Sequence, residues 1–265
     1  MNSTGWRGLL FGRSPQSFPS LLSFHALLLV HHPGPRYSLT FAFPLLILYE
    51  FMARSLSGPD GSGIRNGADV LLKSLFVLLG GGHGLTIFGV LLLGTGIVLV
   101  WRDRRKNGPI EGRYFVGMLA ESVVYAVLFG VVTSLLTTLV LQGPRLLALG
   151  PMEGQGLGTQ IMVSLGAGIY EELLFRVLIV GALSRFAIGA FQMKPFPAGV
   201  FATLLGAVIF AAFHYVGPLG DSFELTSFTF RTIAGVLLSA LYLVRGFGVT
   251  AWTHALYDVL LTVAR

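Results

Sequence analysis

Long apolar runs alternate along this chain with short breaks rich in glycine, proline and charge. A bilayer core about 30 Å thick is crossed by about 20 apolar residues in a helix, because lipid offers exposed backbone no hydrogen-bond partner. Eight runs meet that rule, at about 18–32, 38–54, 84–101, 114–142, 159–185, 197–216, 228–244 and 248–264. The breaks between them include "HHPGPR", "SGPDGSG", "RDRRKNGPIEGR", "QGPR", "KPFP", "GPLGD" and "RGFG", the punctuation expected at helix ends. The stretch "ADVLLKSLFVLL" (68–79) is short and carries Asp69 and Lys73, so it reads as an interfacial or re-entrant helix. The pattern predicts an all-α, polytopic transmembrane bundle of about eight spans. Its N-terminal helices and loops occupy 1–158 and a C-terminal core 159–265.

Composition agrees with that picture. Of 265 residues 54% are hydrophobic and 11% charged, and the mean hydropathy is +0.76, too apolar for a water-soluble domain. The chain has no cysteine, which removes disulfides, thiolate metal sites and a cysteine nucleophile. A net charge of +6 in so apolar a chain belongs to loops and headgroup contacts, not to nucleic acid. The bilayer itself is therefore the first expected partner. The loop 101–113 is the richest in Lys and Arg, and the positive-inside rule puts it in the cytoplasm. Arg185, Lys194 and Arg245 fall on the same side, and with eight spans both termini lie opposite. The segment 17–32 follows Arg7 and Arg13 as in a signal peptide, but no small-residue cleavage pattern follows, so it reads as a retained helix. Residues 1–16 and 55–66 are polar and Gly-rich and are expected to be flexible.

One run breaks the rule that lipid makes charge expensive. "GIYEELLFRVLIV" (168–180) holds Glu171, Glu172 and Arg176, and each intramembrane charge costs at least about 2.5 kcal/mol unless it is paired or functional. Glu172 and Arg176 are four apart, share one helical face and can pair. Glu171 points about 100° away and is left free. Desolvation makes such a carboxylate a stronger base, suited to general-base work. Two later helices add His214, in "FAAFHY" with Phe210 one turn earlier, and His254 with Asp258 four residues on, in "WTHALYD". That second spacing suits a ligand pair or an oriented imidazole. A buried ion-pair cluster that only fixes helix packing is the competing reading of the glutamates.

The three motifs "EELLFR" (171–176), "FAAFH" (210–214) and "HALYD" (254–258), in this order on successive helices, resemble those of the CPBP intramembrane proteases, which include CAAX prenyl endopeptidases and bacteriocin-immunity (Abi) proteins. The resemblance spans about 160–262 and implies an endopeptidase acting on a membrane-embedded or lipid-modified protein substrate, the prenylated CAAX type included. Carried over, Glu171 activates water with His214 beside it, while His254 and position 258 stabilise the oxyanion. Glu172 and Arg176 then hold the architecture. The same resemblance suggests an integral protein of a prokaryotic cell membrane.

Position 258 departs from the family, whose motif commonly ends in Asn. An amide donates to an oxyanion, whereas an ionised Asp258 only accepts; it must be protonated, orient His254 or ligate a metal. The motif differs from H-E-x-x-H, yet two histidines with a carboxylate from Glu171 or Asp258 admit a three-ligand zinc site. Metal-free, glutamate-dependent chemistry is the preferred expectation, with zinc the alternative cofactor. The boundaries place Glu171 mid-helix but His214 and His254 near helix ends, so convergence needs a broken helix, for which "HYVGPLG" (214–220) is a candidate. Glu121 is expected to serve helix packing, and His25, His31, His32 and His83 are expected at the interface. The glycines of "GLLFG" and "LLGGGHG" lack the strand-to-helix setting of a phosphate loop. The rival functions are a non-catalytic membrane scaffold or bacteriocin-immunity protein, and a small transporter using the same groups as a proton relay, against which the absence of inverted repeats argues.

Overall fold

The computed structural model describes residues 34–58, 63–142, 155–217 and 220–264. Among them all regular structure is helical: α1 (Pro35–Ser55), α2 (Gly67–Gly80), a 3-10 turn (Gly81–His83), α3 (Gly84–Asn107), α4 (Arg113–Val140), α5 (Leu157–Gly166), a π-helical segment (Ala167–Val180), α6 (Gly181–Phe191), α7 (Pro195–Phe213) and α8 (Leu225–Val263). Helix ends follow local chemistry. Pro35 and Pro195 stand in first turns, where a missing N–H is no loss. Arg104, Arg105 and Lys106 complement the carbonyl end of α3, and Gly108 stops it with φ 90°.

Five helical runs are long and apolar enough to cross a membrane: Gly67–Asn107, Arg113–Val140, Leu157–Phe191, Pro195–Phe213 and Leu225–Val263. Eight were expected, and the difference has identifiable sources. The run at 18–32 lies outside the described residues. The run at 38–54 is α1, whose apolar stretch is diluted by Pro44, Tyr49 and Glu50. The runs at 228–244 and 248–264 are the two arms of α8, joined through a kink at Gly246 (φ 78°, ψ 177°). Only glycine adopts that φ without strain. The kink is tied to α1, where Ser38 Oγ accepts from Gly248 N at 2.8 Å.

The stretch 68–79 is the helix α2, and it folds back on α3. Phe76 and Phe88 would be about 18 Å apart along a straight helix, yet their ring centroids are 5.2 Å apart. Gly84 allows this turn, since a Cβ there would lie 2.3 Å from the Phe76 carbonyl oxygen.

The exterior is apolar and the interior holds the charges, the reverse of a water-soluble fold. Leu78 is 80% exposed and Phe196 82%, while Glu172 and Arg176 are buried. The helix α8 is central and packs against α1, α4, α5, the π segment and α7. Glu121 of α4 meets Arg245 of α8 at 2.6 Å, so it serves an interhelical ion pair beside the kink. The close approach of α8 to the π segment depends on Gly168, where a Cβ would sit 2.3 Å from the Ala251 carbonyl oxygen and 2.6 Å from Ala255 Cβ. That contact carries His254 to the glutamates.

Candidate active site

The glutamates lie on the π segment, whose backbone bonds run from i to i+5. Nothing in the residue spacing distinguishes this geometry from an α-helix. Such wide turns are uncommon and recur at functional sites. Glu171, Glu172 and Arg176 are all buried. Arg176 Nε lies 3.2 Å from Glu172 Oε2, and its guanidinium covers the Phe210 ring at 4.4 Å. The other oxygen of Glu172 is 2.6 Å from His254 Nδ1. Glu172 therefore holds a cation on one side and an imidazole on the other, and it fixes the orientation of that ring.

His214 occupies the turn after α7. Its Nδ1 donates to the Phe210 carbonyl oxygen at 2.8 Å; a carbonyl only accepts, so the proton is on Nδ1 and Nε2 is directed elsewhere. That Nε2 lies 3.9 Å from Glu171 Oε2. Phe210 stands edge-on to both imidazoles, with centroids 4.9 Å from His214 and 6.2 Å from His254. Asp258 Oδ2 is 3.7 Å from His254 Nε2, beyond a direct hydrogen bond.

The structure thus brings Glu171 to His214, and His254 to both Glu172 and Asp258. Convergence comes from packing: α7 ends at the site, and His254 lies within the second arm of the kinked α8 instead of at a helix start. The side chains of His214 and Asp258 are 24% and 29% exposed and form the mouth, while Glu171 and His254 lie deeper.

One contributor was absent from the sequence reading. Asn66 Nδ2 donates to Glu171 Oε1 at 2.8 Å. It belongs to the stretch 55–66 expected to be flexible, whereas Asn66 itself is buried. Its signal was present, because an Asn immediately before an apolar helical run is a capping pattern. Its side chain accepts from Ala68 N at 2.9 Å at the start of α2.

Among the described residues no three His, Asp or Glu side chains are placed to hold a metal together. With Nδ1 of His254 held by Glu172 and Nδ1 of His214 by a carbonyl, the Nε2 atoms are the ring nitrogens left for a metal or for water.

Residues 154–260 match the family model described as Type II CAAX prenyl endopeptidase Rce1-like. Over these residues the chain is similar to that family. The Rce1-like region contains all three motifs and takes in α5, the π segment, α6, α7 and nearly all of α8. No curated protein and no solved structure matches the chain. The match supports, in general terms, a CAAX protease-like enzyme, and the long apolar helices together with it point to an integral membrane protein.

Proposed function

We propose that this protein is an intramembrane endopeptidase that hydrolyses a peptide bond of a membrane-associated protein, the prenylated CAAX type being the substrate class favoured by the Rce1-like region. One observation carries the reading. Glu171 Oε2 is buried, has no hydrogen-bond partner among the described residues, and faces His214 Nε2 at 3.9 Å. A buried carboxylate oxygen without a donor is costly, and this one stands where a nucleophile is needed. A water donating to two acceptors at about 2.8 Å each links oxygens or nitrogens roughly 4.4 Å apart, so the 3.9 Å separation here opens slightly when a water enters.

In the proposed reaction Glu171 takes a proton from that water as its oxygen bonds to the scissile carbonyl carbon. His214, fixed through Nδ1, holds the water in line. His254, oriented by Glu172, donates from a protonated Nε2 to the oxyanion that forms. The proton on Glu171 then passes to the amide nitrogen, the C–N bond breaks, and an amine and a carboxylic acid leave. Asp258 lies beside His254 Nε2 at the mouth, where it favours the charged imidazole. Glu172 and Arg176 act as support.

The test uses the purified full chain in lipid nanodiscs with a prenylated fluorogenic CAAX-type peptide. The expected result is cleavage by the wild type and none by Glu171→Ala, His214→Ala or His254→Ala, with folding retained. Cleavage by purified Glu171→Ala would sink the proposal. A scaffold or immunity protein would turn over nothing in any form.

A further inference from the structure

Asn66 lies outside the Rce1-like region, yet it reaches the carboxylate on which the proposed chemistry depends. Its amide has a single possible orientation. The Ala68 N–H can only donate, so Oδ1 faces it at 2.9 Å; Nδ2 must then face Glu171 Oε1, 2.8 Å away. A helix cap requires only the first of these bonds. The second uses the remaining side of the amide to hold one oxygen of Glu171, while the other has no hydrogen-bond donor among the described residues.

The amide is itself clamped. The Asn66 backbone N–H donates to Tyr49 Oη at 3.3 Å, and Tyr49 donates to Asp69 Oδ2 at 2.7 Å. Arg65 and Lys73 hold Asp69 at 2.8 and 2.6 Å. From the other side Gly166, at the end of α5, brings the backbone so close that a Cβ there would lie 2.6 Å from both Asn66 Cβ and a Tyr49 ring carbon. A side chain held at its backbone, at its oxygen and across its face has no freedom to follow a moving carboxylate.

We propose that Asn66 is a positioning residue for Glu171: by pinning Oε1 it stops the carboxylate from turning and presents Oε2, as the one basic oxygen, to water and His214. This rests on the hydrolytic reading above and adds a required contribution from the N-terminal helices. The angle of a general base controls the fraction of encounters in reactive geometry, so the effect belongs in kcat and not in substrate binding.

The experiment separates capping from positioning. Asn66→Ser and Asn66→Thr both keep an oxygen for the Ala68 N–H, and both remove the amide donor to Glu171. Each is assayed in nanodiscs with the prenylated peptide for kcat, KM and thermal unfolding. In parallel, the infrared carboxylate band of Glu171 is isolated by subtracting the spectrum of Glu171→Gln. The expected result is a kcat lower by about 10- to 100-fold, an unchanged KM and unfolding temperature, and a shifted band in both variants. An unshifted band, or a wild-type kcat in both variants, overturns the positioning role. So does a loss of rate that appears only together with a lower unfolding temperature. Absence of turnover in the wild type, or cleavage by Glu171→Ala, overturns the hydrolytic reading instead, and this role with it.

Discussion

Two polar clusters lie inside this apolar bundle, and they differ in how completely their carboxylates are matched. In the first, Asp69 has Tyr49 and Arg65 on one oxygen and Lys73 on the other. Its neighbour Glu50 has Lys73 and Tyr170 on one oxygen and Arg65 on the other. Every carboxylate oxygen there has a cation or a hydroxyl, and the cluster ties α1, α2 and the π segment together. In the second, Glu172 has His254 hydrogen-bonded to Oε1 and the Arg176 cation 3.2 Å from Oε2, an ion pair without hydrogen-bond geometry, whereas the adjacent Glu171 Oε2 has no hydrogen-bond donor among the described residues and faces His214 Nε2 at 3.9 Å. A saturated cluster gives geometry and no reagent. In the proposed chemistry the Glu171 oxygen beside the oriented His214 Nε2 is the reagent, and its paired neighbours keep it in place.

That contrast is broken most directly at Glu171. Glu171→Gln is expected to lower kcat by about 10²- to 10⁴-fold, with the thermal unfolding of the nanodisc-embedded protein unchanged; a fall in stability with cleavage intact would assign Glu171 to the structural class. Glu172→Gln is expected to affect both properties. It removes the charge beside buried Arg176, which costs about 3 to 5 kcal/mol of stability, and it loosens His254, so the peptide assay and the unfolding curve should both register it. Asp69→Asn sharpens the comparison from the other side. A loss of about 3 kcal/mol is expected, at the lower end because Arg65 and Lys73 retain Glu50 and some solvent, and kcat measured below the unfolding transition should fall far less than in Glu171→Gln.

Asp258→Asn should change little by the same logic, since Asp258 is part-exposed and makes no direct hydrogen bond to His254. Cleavage within about tenfold of wild type is expected, because the amide can donate to the oxyanion where the carboxylate cannot. A complete loss in steady-state assays would show that the charge of Asp258 is indispensable to His254. The smallest effect is expected at Glu50, whose side chain is 38% exposed: Glu50→Gln should shift stability by less than about 1 kcal/mol in a denaturation curve.

The placement of charges was largely legible beforehand. Arg176 stands four residues from Glu172 and meets it, and Asp258 stands four from His254 and lies near it, because short spacings survive whatever the helices do later. Span counting was less secure. It depends on composition averaged over a window, and a window does not register that Gly246 joins two apolar runs through a kink or that α2 folds back onto α3. Asn66 shows the same limit at the site. Its capping pattern was local and readable, but its bond to Glu171 crosses 105 positions of sequence, and no local rule reaches that far.

By itself the sequence determined an all-helical membrane chain, the three motifs of an Rce1-like region and the identity of its ionisable groups. These depend on hydropathy and on neighbours within a turn, both written into consecutive residues. Only the tertiary structure decided which glutamate oxygen faces His214, which histidine Glu172 orients, and that an asparagine from the N-terminal part of the chain hydrogen-bonds Glu171. Those outcomes depend on how closely separate helices approach. Here that closeness rests on glycines such as Gly166 and Gly168, whose missing side chains acquire meaning only from the residues packed against them.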